Sequence, residues 1–306
     1  MSLTTFAAES RGGGARVGGD ADSSTKNNDL ARKITVPSLL EKKVRRQPIT
    51  MVTAYDYASA RMVDEAGLDA VLVGDSLAMV MLGHENTLSV TMEEMLVFTR
   101  GARRGVKRAL LVADMPFGSY QVSEREGVVN ALRFVKDAGA EAVKLEGGRS
   151  RVGLVRRLVE AEIPVMGHIG LTPQSVHRMG GYRVQGKSVA AVDGLRQDAM
   201  ALAEAGCFSI VLEGVPRELA QVITKEVAVP TIGIGAGPDT DGQVLVLHDL
   251  LGMTFSPAAK FVRRYADVSA VMLEALEGYR RQVEAREFPS DAESYHLPRE
   301  LKELLG

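Results

Sequence analysis

The sequence predicts an α/β protein that folds as a closed barrel of eight parallel strands surrounded by helices. Short apolar runs rich in β-branched residues recur from Thr35 onward, and most of them are followed by a segment with helical periodicity. Most of these runs are continuously hydrophobic rather than alternating with polar residues, which is typical of parallel strands covered by helices. Eight such units across roughly 220 residues favour a closed barrel over an open doubly wound sheet.

Length alone fits two domains or a single α/β barrel of about 250 residues equally well, and the composition is that of an ordinary globular protein. The chain has 306 residues, a formal net charge of −2, 45% hydrophobic residues and 25% charged residues, so it can bury a large core. The near-balanced charge argues against a surface that grips nucleic acid or anionic lipid. Cys207 is the only cysteine, which excludes an intrachain disulfide and a Cys-rich zinc site and fits a cytoplasmic location. No apolar run approaches the ~18 residues that would span a membrane.

Composition also predicts three segments along the chain. Residues 1–30 are rich in glycine and polar residues, and we expect a flexible tail because they cannot bury enough surface to offset their ordering entropy. Residues 31–288 are predicted to form one barrel domain with a C-terminal helix. Residues 289–306 are predicted to form a polar C-terminal tail.

The eight predicted strands follow one another in chain order, and the last has the weakest pattern. They lie at 49–54, 70–74, 110–114, 142–146, 164–169, 209–213, 230–235 and 243–248.

Amphipathic segments between the runs predict the covering helices. In the segment 126–139, Val128, Leu132 and Val135 have the i, i+4, i+7 spacing of a helix face that packs on a core. Comparable patterns predict helices over 154–161, 199–206, 219–227 and 268–285.

Acidic residues close several of the predicted strands. Asp75 follows the second strand, Asp114 ends the third and Glu146 ends the fourth. In a parallel barrel the carboxyl ends of all strands meet at one mouth, where active sites of this fold are built. A single acid at such a position is more often a helix cap. Three on consecutive strands favour a site that presents hard oxygen ligands to one magnesium ion.

Three further residues lie at the same predicted mouth. Lys144 precedes Glu146 by two positions, so both side chains point to the same side of the strand, where a cation could neutralise an enolate or hold a carboxylate. Glu213 ends the sixth strand. His168, near the end of the fifth strand, is either a structural histidine or a supporting residue of the site.

Two glycine-rich segments match nucleotide-binding patterns without the required context. Residues 181–188 match the pattern G-x-x-x-x-G-K-[ST], but the fifth predicted strand ends at Ile169, well before this segment. We therefore predict a mobile loop at the barrel rim. Residues 233–237 fail the dinucleotide fingerprint because Pro238 occupies the third glycine position. A tight turn that lets the backbone approach a ligand is predicted there.

Several short motifs together resemble the ketopantoate hydroxymethyltransferase family. The resemblance extends in order from about Thr35 to Phe288 and is specific because the motifs are separate and numerous. They are Thr53-Ala54-Tyr55-Asp56, Val73-Gly74-Asp75-Ser76, Lys144-Leu145-Glu146-Gly147-Gly148, residues 167–174, Gly180-Gly181-Tyr182 with Val184-Gln185-Gly186, and residues 232–237.

The resemblance implies a TIM-type barrel of the phosphoenolpyruvate/pyruvate kind that works as a magnesium-dependent transferase. The expected reaction moves a hydroxymethyl group from 5,10-methylenetetrahydrofolate to 3-methyl-2-oxobutanoate. Its product is 2-dehydropantoate, in the first committed step of pantothenate biosynthesis. A homo-oligomer, often a decamer in this family, is implied as well.

The resemblance also implies roles for individual residues. Glu213 resembles the general base that takes a proton from carbon 3 of the 2-oxo acid. The implied metal ligands are Asp75, Asp114 and Glu146, and the implied 2-oxo acid site is Asp75, Ser76, Asp114 and Lys144. Since uncontrolled solvent would reprotonate an enolate, we expect a lid, for which the loop 179–188 is the candidate.

Three alternatives stay open at this point. A carbon–carbon lyase or mutase on the same barrel would use similar acids, but such enzymes share a Cys-bearing loop motif, and Cys207 lies at a predicted helix end. A nucleotide-binding module would depend on the segment 181–188. A barrel without catalysis is disfavoured, because carboxylates that repel one another at the barrel mouth would have no function there.

Overall fold

The computed structural model describes residues 32–255 and 257–303. The predicted tail at residues 1–30 lies outside the described residues, as does the end of the predicted C-terminal tail from residue 304 onward. In the part of the chain that the structure describes, no helix is long and apolar enough to cross a membrane.

Eight parallel strands close into a barrel, as the sequence predicts. Each strand pairs with the next one along the chain, and the eighth pairs with the first, so the order around the barrel is the chain order. The strands are β1 (Ile49–Thr53), β2 (Ala70–Val73), β3 (Leu110–Asp114), β4 (Ala142–Glu146), β5 (Val165–Gly170), β6 (Ser209–Glu213), β7 (Thr231–Ile234) and β8 (Gly242–Leu245).

Helices between the strands pack on the outside of the barrel, whereas the helix Val268–Glu284 follows the last strand and has no buried residue. The other longer helices are Val36–Val44, Tyr57–Glu65, Met92–Gly105, Glu124–Lys136, Val152–Glu160, Val189–Glu204 and Arg217–Glu226. Short helices lie at Leu77–Val80, Val176–Met179, Leu247–Leu251 and Arg299–Lys302, and 3₁₀ turns lie at Arg149–Arg151, Pro173–Ser175 and Asp291–Glu293.

Two elements differ clearly from their predicted bounds. The helix predicted over 199–206 begins at Val189. Ser188 is its N-cap and accepts a hydrogen bond from the Ala191 N–H. The prediction used only the apolar periodicity of residues 199–206, which gives no information about this cap. The strand predicted over 243–248 ends at Leu245. The chain then turns into a short helix whose first N–H, from Leu247, donates to the side chain of β1 residue Thr53.

Two apolar layers stabilise the barrel, one inside it and one between the strands and the helices. On β3, Leu110 and Val112 belong to the inner layer, whereas Leu111 and Ala113 belong to the outer one. Successive side chains of a strand point to opposite faces. Burial on both faces therefore explains why the runs in the sequence are continuously hydrophobic.

Ion pairs anchor the first described helix to the amino-terminal end of the barrel. Lys42 Nζ lies 2.5 Å from Asp69 Oδ1, and Lys43 Nζ lies 2.8 Å from Asp241 Oδ2. Asp69 immediately precedes β2, and Asp241 immediately precedes β8. These two acids are therefore structural and lie at the end of the barrel opposite the predicted site.

Candidate active site

A cavity of about 830 Å³ lies at the carboxyl ends of the strands. All eight strands contribute side chains to its wall. Every residue predicted for the site lines this one cavity, namely Asp75, Ser76, Asp114, Lys144, Glu146, His168 and Glu213. The closed parallel topology brings them together from distant positions in the sequence.

The three acids on neighbouring strands are buried close to one another. Asp75 is 4% exposed, Asp114 2% and Glu146 4%. The Asp75 backbone N–H donates to Asp114 Oδ2 at 3.2 Å. Gln174 donates through Nε2 to Asp75 Oδ2 at 2.9 Å and through its backbone N–H to Glu146 Oε2 at 3.0 Å. The helix-cap interpretation fails, because the N-cap positions of the next α-helices are Ser76, Ser123 and Arg151.

Burial and like charge make this cluster electrostatically unfavourable on its own. Burial, and then the charges of the neighbouring acids, raise the pKa of Asp75 well above its ordinary value. Burial also raises the pKa of Asp114, although Lys144 opposes this shift. Lys144 Nζ lies 2.7 Å from Asp114 Oδ1. Burial opposes the ammonium, but the surrounding carboxylates outweigh it and raise the pKa of Lys144. One ammonium therefore faces three buried acids.

The donor set at the cluster fits a divalent cation. Asp114 Oδ1, despite the nearby ammonium, and Glu146 Oε1 are buried and accept no well-aligned hydrogen bond from any described residue. These two oxygens are thus available to a further cationic partner. Over residues 32–255 and 257–303, no group of three or more His, Cys, Asp or Glu side chains is arranged so that it could hold a metal ion by itself. The acids would supply only part of a coordination sphere, which suits magnesium because it keeps several waters or substrate oxygens.

His168 connects the candidate general base to the candidate metal ligands. Its Nε2 lies 3.2 Å from Glu213 Oε2, and its Nδ1 lies 3.4 Å from Glu146 Oε1 and 3.3 Å from Lys144 Nζ. Burial and the lysine charge disfavour protonation, but the nearby carboxylates of Glu146 and Glu213 outweigh them and raise the pKa of His168 to about 9. The Glu213 side chain is 16% exposed, so it is partly desolvated and still reachable from the cavity.

Ser76 is held in place at the start of the turn that follows β2. Its hydroxyl forms a 2.9 Å hydrogen bond with the hydroxyl of Tyr55. Burial raises the pKa of Tyr55, so this phenol stays neutral and can donate. A Cβ at Gly74 would lie only 2.9 Å from Ser76 Oγ. A side chain at position 74 would therefore displace the serine hydroxyl from this position.

The glycine-rich loop at 179–188 borders the cavity. Tyr182 lines the cavity and is 49% exposed, and the Gln185 N–H donates to the carbonyl of Gly214, next to Glu213, at 2.9 Å. The elements Pro173–Ser175 and Val176–Met179 separate this loop from β5. The strand, loop and helix order of a phosphate-binding P-loop is therefore not met here, and the movement of this loop as a lid stays a prediction.

Gln174 and Tyr120 were not predicted to belong to the site. Besides its bonds to the acids, Gln174 accepts a hydrogen bond at Oε1 from the Tyr120 hydroxyl at 2.6 Å. That hydroxyl in turn accepts from the Glu146 N–H at 3.0 Å. Both residues lie in connections after strands, where no periodicity or spacing marks them. The one available signal was that Gln174 closes the motif at residues 167–174.

Comparison with known proteins gives a match over most of the chain. The family model for ketopantoate hydroxymethyltransferase matches residues 33–291. A 3-methyl-2-oxobutanoate hydroxymethyltransferase of Koribacter versatilis is 60% identical over 277 residues, which cover 90% of this chain and 94% of that protein. A protein of the same name from Pelobacter propionicus is 53% identical over 269 residues, which cover 88% of this chain and all 100% of that protein.

Solved structures of lower identity share the fold. A phosphonopyruvate hydrolase in complex with oxalate and Mg²⁺ has a TM-score of 0.55 at 15% identity, covering 89% of this chain and 95% of that chain. A 2,3-dimethylmalate lyase of the PEP mutase/isocitrate lyase superfamily has a TM-score of 0.53 at 17% identity, covering 89% and 94%. These matches confirm the TIM-type barrel. The lyase alternative finds no support at Cys207, which is buried, and burial raises the pKa of its thiol to about 12.

Proposed function

Since the chain belongs to the ketopantoate hydroxymethyltransferase family, we propose that it transfers a hydroxymethyl group from 5,10-methylenetetrahydrofolate to 3-methyl-2-oxobutanoate. The product is 2-dehydropantoate, in the first committed step of pantothenate biosynthesis. One observation carries the assignment of the site: Lys144 and three buried acids face the same cavity as the partly exposed Glu213. The proposal includes a cytoplasmic location, which the single cysteine favours, and a homo-oligomeric assembly, often a decamer in this family, which the sequence resemblance implies.

The 2-oxo acid is proposed to bind at Asp75, Ser76, Asp114 and Lys144. The Lys144 ammonium can pair with the carboxylate of the substrate or with the oxygen that becomes negative in the enolate. The Ser76 hydroxyl, which is bonded to the Tyr55 hydroxyl, can orient a substrate oxygen. A buried cationic group beside polar donors is what a small dianionic enolate requires.

We assign Asp75, Asp114 and Glu146 as the residues that would hold a magnesium ion. The bound ion would supply Lewis-acid polarisation of the substrate carbonyl. Support comes from the burial of the three acids and from the carboxylate oxygens that accept no aligned hydrogen bond. A cation there would stabilise the ionised forms of Asp75 and Asp114, whose pKa values are raised by burial.

Glu213 is proposed to accept the proton that carbon 3 of the substrate releases. The electrons of the broken C–H bond pass into the bond between carbons 2 and 3, and negative charge develops on the oxygen that Lys144 can neutralise. His168, at 3.2 Å from Glu213 Oε2, fixes the direction of the carboxylate. A single proton thus moves from carbon to a partly desolvated oxygen.

In the next step the enolate carbon forms a bond to the one-carbon unit of the folate, while the bond from that unit to one folate nitrogen breaks and this nitrogen receives the proton released from carbon 3. A water oxygen then bonds to the one-carbon unit as its second carbon–nitrogen bond breaks, and one proton of the water goes to that nitrogen, so tetrahydrofolate leaves. A cavity of about 830 Å³ lies within the range of about 300–1,000 Å³ that accommodates drug-sized ligands, so a five-carbon acid leaves room for a second substrate. The loop at 179–188, with Tyr182 on the cavity wall, is the proposed lid that limits solvent during this step.

Exchange of the proton on carbon 3 tests this assignment without any need for folate. In deuterated water, proton NMR should show magnesium-dependent loss of the carbon 3 signal of 3-methyl-2-oxobutanoate with the unchanged enzyme. Glu213→Gln should slow exchange by about 10²- to 10⁴-fold while it still binds the 2-oxo acid. Glu218→Gln, an exposed glutamate in the next helix, is the control and should exchange at the normal rate.

Two outcomes would count against the proposal. Undiminished exchange by Glu213→Gln removes this residue from the role of base. Absence of magnesium-dependent exchange with the unchanged enzyme overturns the assigned chemistry as a whole.

A further inference from the structure

Gln174 contacts two of the candidate metal ligands at once. It lies in the 3₁₀ turn Pro173–Ser175 after β5 and is 6% exposed. Its Nε2 donates to Asp75 Oδ2 and to the carbonyl of Met115, both at 2.9 Å, and its backbone N–H donates to Glu146 Oε2 at 3.0 Å. One residue from a connection thus holds one oxygen on each of two acids, one that follows β2 and one that ends β4.

The orientation of the Gln174 amide is itself determined by its neighbours. The Tyr120 hydroxyl donates to Oε1 at 2.6 Å, and Gln121 Nε2 donates to the same oxygen at 3.1 Å. Turning the amide over would place Oε1 against two acceptors and Nε2 against two donors, so only one orientation satisfies all four partners. Tyr120 also accepts from the Glu146 N–H at 3.0 Å, which joins it to the same network.

We propose that Gln174 is a positioning residue for the divalent cation and that Tyr120 acts through it. With Asp75 Oδ2 and Glu146 Oε2 held by Gln174, the remaining oxygens of both acids are presented in fixed directions. Acids that are already oriented lose less side-chain entropy when the ion binds. The inference rests on the proposed function, because it assumes that these acids receive a metal.

Gln174→Met tests the inference, since methionine has a similar length and shape but cannot donate or accept these hydrogen bonds. The readout is Mn²⁺ affinity, measured by electron paramagnetic resonance without substrate. We expect Mn²⁺ to bind about 10- to 100-fold more weakly. The magnesium concentration that gives half-maximal exchange should rise in parallel, while the rate at saturating magnesium recovers. A loss of general stability would not produce this separation.

Gln243→Met is the matched control. Its Nε2 also donates to two oxygens at 2.9 Å, those of Gly237 and Thr240, but the residue is exposed and lies outside the cavity. We expect its Mn²⁺ affinity to equal that of the unchanged enzyme.

Tyr120→Phe is a milder variant that keeps the test valid if Gln174→Met does not fold. Loss of one donor to Gln174 should weaken Mn²⁺ binding about three- to tenfold. Combined with Gln174→Met, it should add less than its separate effect, because the two residues act in one network. Folded variants that bind Mn²⁺ within twofold of the unchanged enzyme would overturn the positioning role alone. An unchanged enzyme that binds no Mn²⁺ would overturn the proposed metal site and this role together.

Discussion

The ion pair between Lys144 and Asp114 provides a quantitative test of how the lysine charge compensates the buried carboxylates. Lys144→Met keeps the apolar stem and removes the ammonium that lies 2.7 Å from Asp114 Oδ1. The two side chains are only 5% and 2% exposed. Removing one partner of a buried pair leaves an uncompensated charge, which typically costs about 3–5 kcal/mol. We expect the free energy of unfolding to fall by about this amount at neutral pH.

Lys33→Met is the matched control for burial. Its Nζ also lies 2.7 Å from a carboxylate oxygen, that of Glu141, but these two side chains are 34% and 29% exposed. Because solvent screens exposed pairs, this substitution should lower the free energy of unfolding by only about 1 kcal/mol. Urea denaturation, monitored by circular dichroism, measures the loss of unfolding free energy in both variants under the same conditions.

Magnesium should restore part of the stability that Lys144→Met loses. In the proposed site the ion and the ammonium offset the same carboxylates, so the ion becomes more important when the ammonium is absent. A ligand at 100 times its Kd stabilises the folded state by about 2.7 kcal/mol. A Lys144→Met protein that is destabilised no more than Lys33→Met would refute the assumption that burial makes this pair indispensable.

Two further predictions concern helix packing and the second substrate. An added Cβ at Gly105 would lie 2.5 Å from the carbonyl oxygen of Tyr57, whereas one at Gly101 of the same helix would lie 3.7 Å from its nearest neighbour. In thermal melts we expect Gly105→Ala to lower the free energy of unfolding by about 1–3 kcal/mol and Gly101→Ala to raise it by about 0.5–1 kcal/mol. Changes of the same sign in both variants would contradict the observed packing. Arg183 and Lys187 are exposed cations on the rim loop, and we expect them to meet the anionic glutamate tail of the folate that is proposed as the second substrate. Replacing both by alanine should raise the folate KM about three- to tenfold and reduce its salt dependence, and an unchanged KM would exclude the contact.

The barrel could be predicted from the sequence because its strands are buried on both faces. Such strands are continuous apolar runs, and each of the eight predicted runs overlaps an observed strand. The convergence of Asp75, Asp114 and Glu146 on one cavity was predictable for a related reason. Once the parallel order is known, the fold geometry fixes where strand ends meet, whatever lies between them.

The network around Gln174 was not predictable in this way. Its partners Asp75, Met115 and Tyr120 come from two other connections, those after β2 and β3, and connections have no periodicity that orients a side chain. The early start of the helix at Val189 has a comparable cause. Its first half is largely exposed or half-buried, so the apolar pattern that indicates a core-facing helix is weak there.

The two ends of the barrel differ in how they balance buried acids. At the amino end, Asp69 and Asp241 each have a lysine of their own. At the carboxyl end, Lys144 and His168 meet four carboxylates, those of Asp75, Asp114, Glu146 and Glu213.

Full ionisation of this carboxyl-end cluster would leave an excess of two negative charges, which is the charge that one divalent cation offsets. Without such a cation, protons are the remaining compensation, in agreement with the raised pKa values of Asp75 and Asp114. Asp69 and Asp241 need no added cation or proton, because each already has a lysine partner. The imbalance therefore favours a mouth built to receive a metal and an anionic substrate over one whose charges only stabilise the fold.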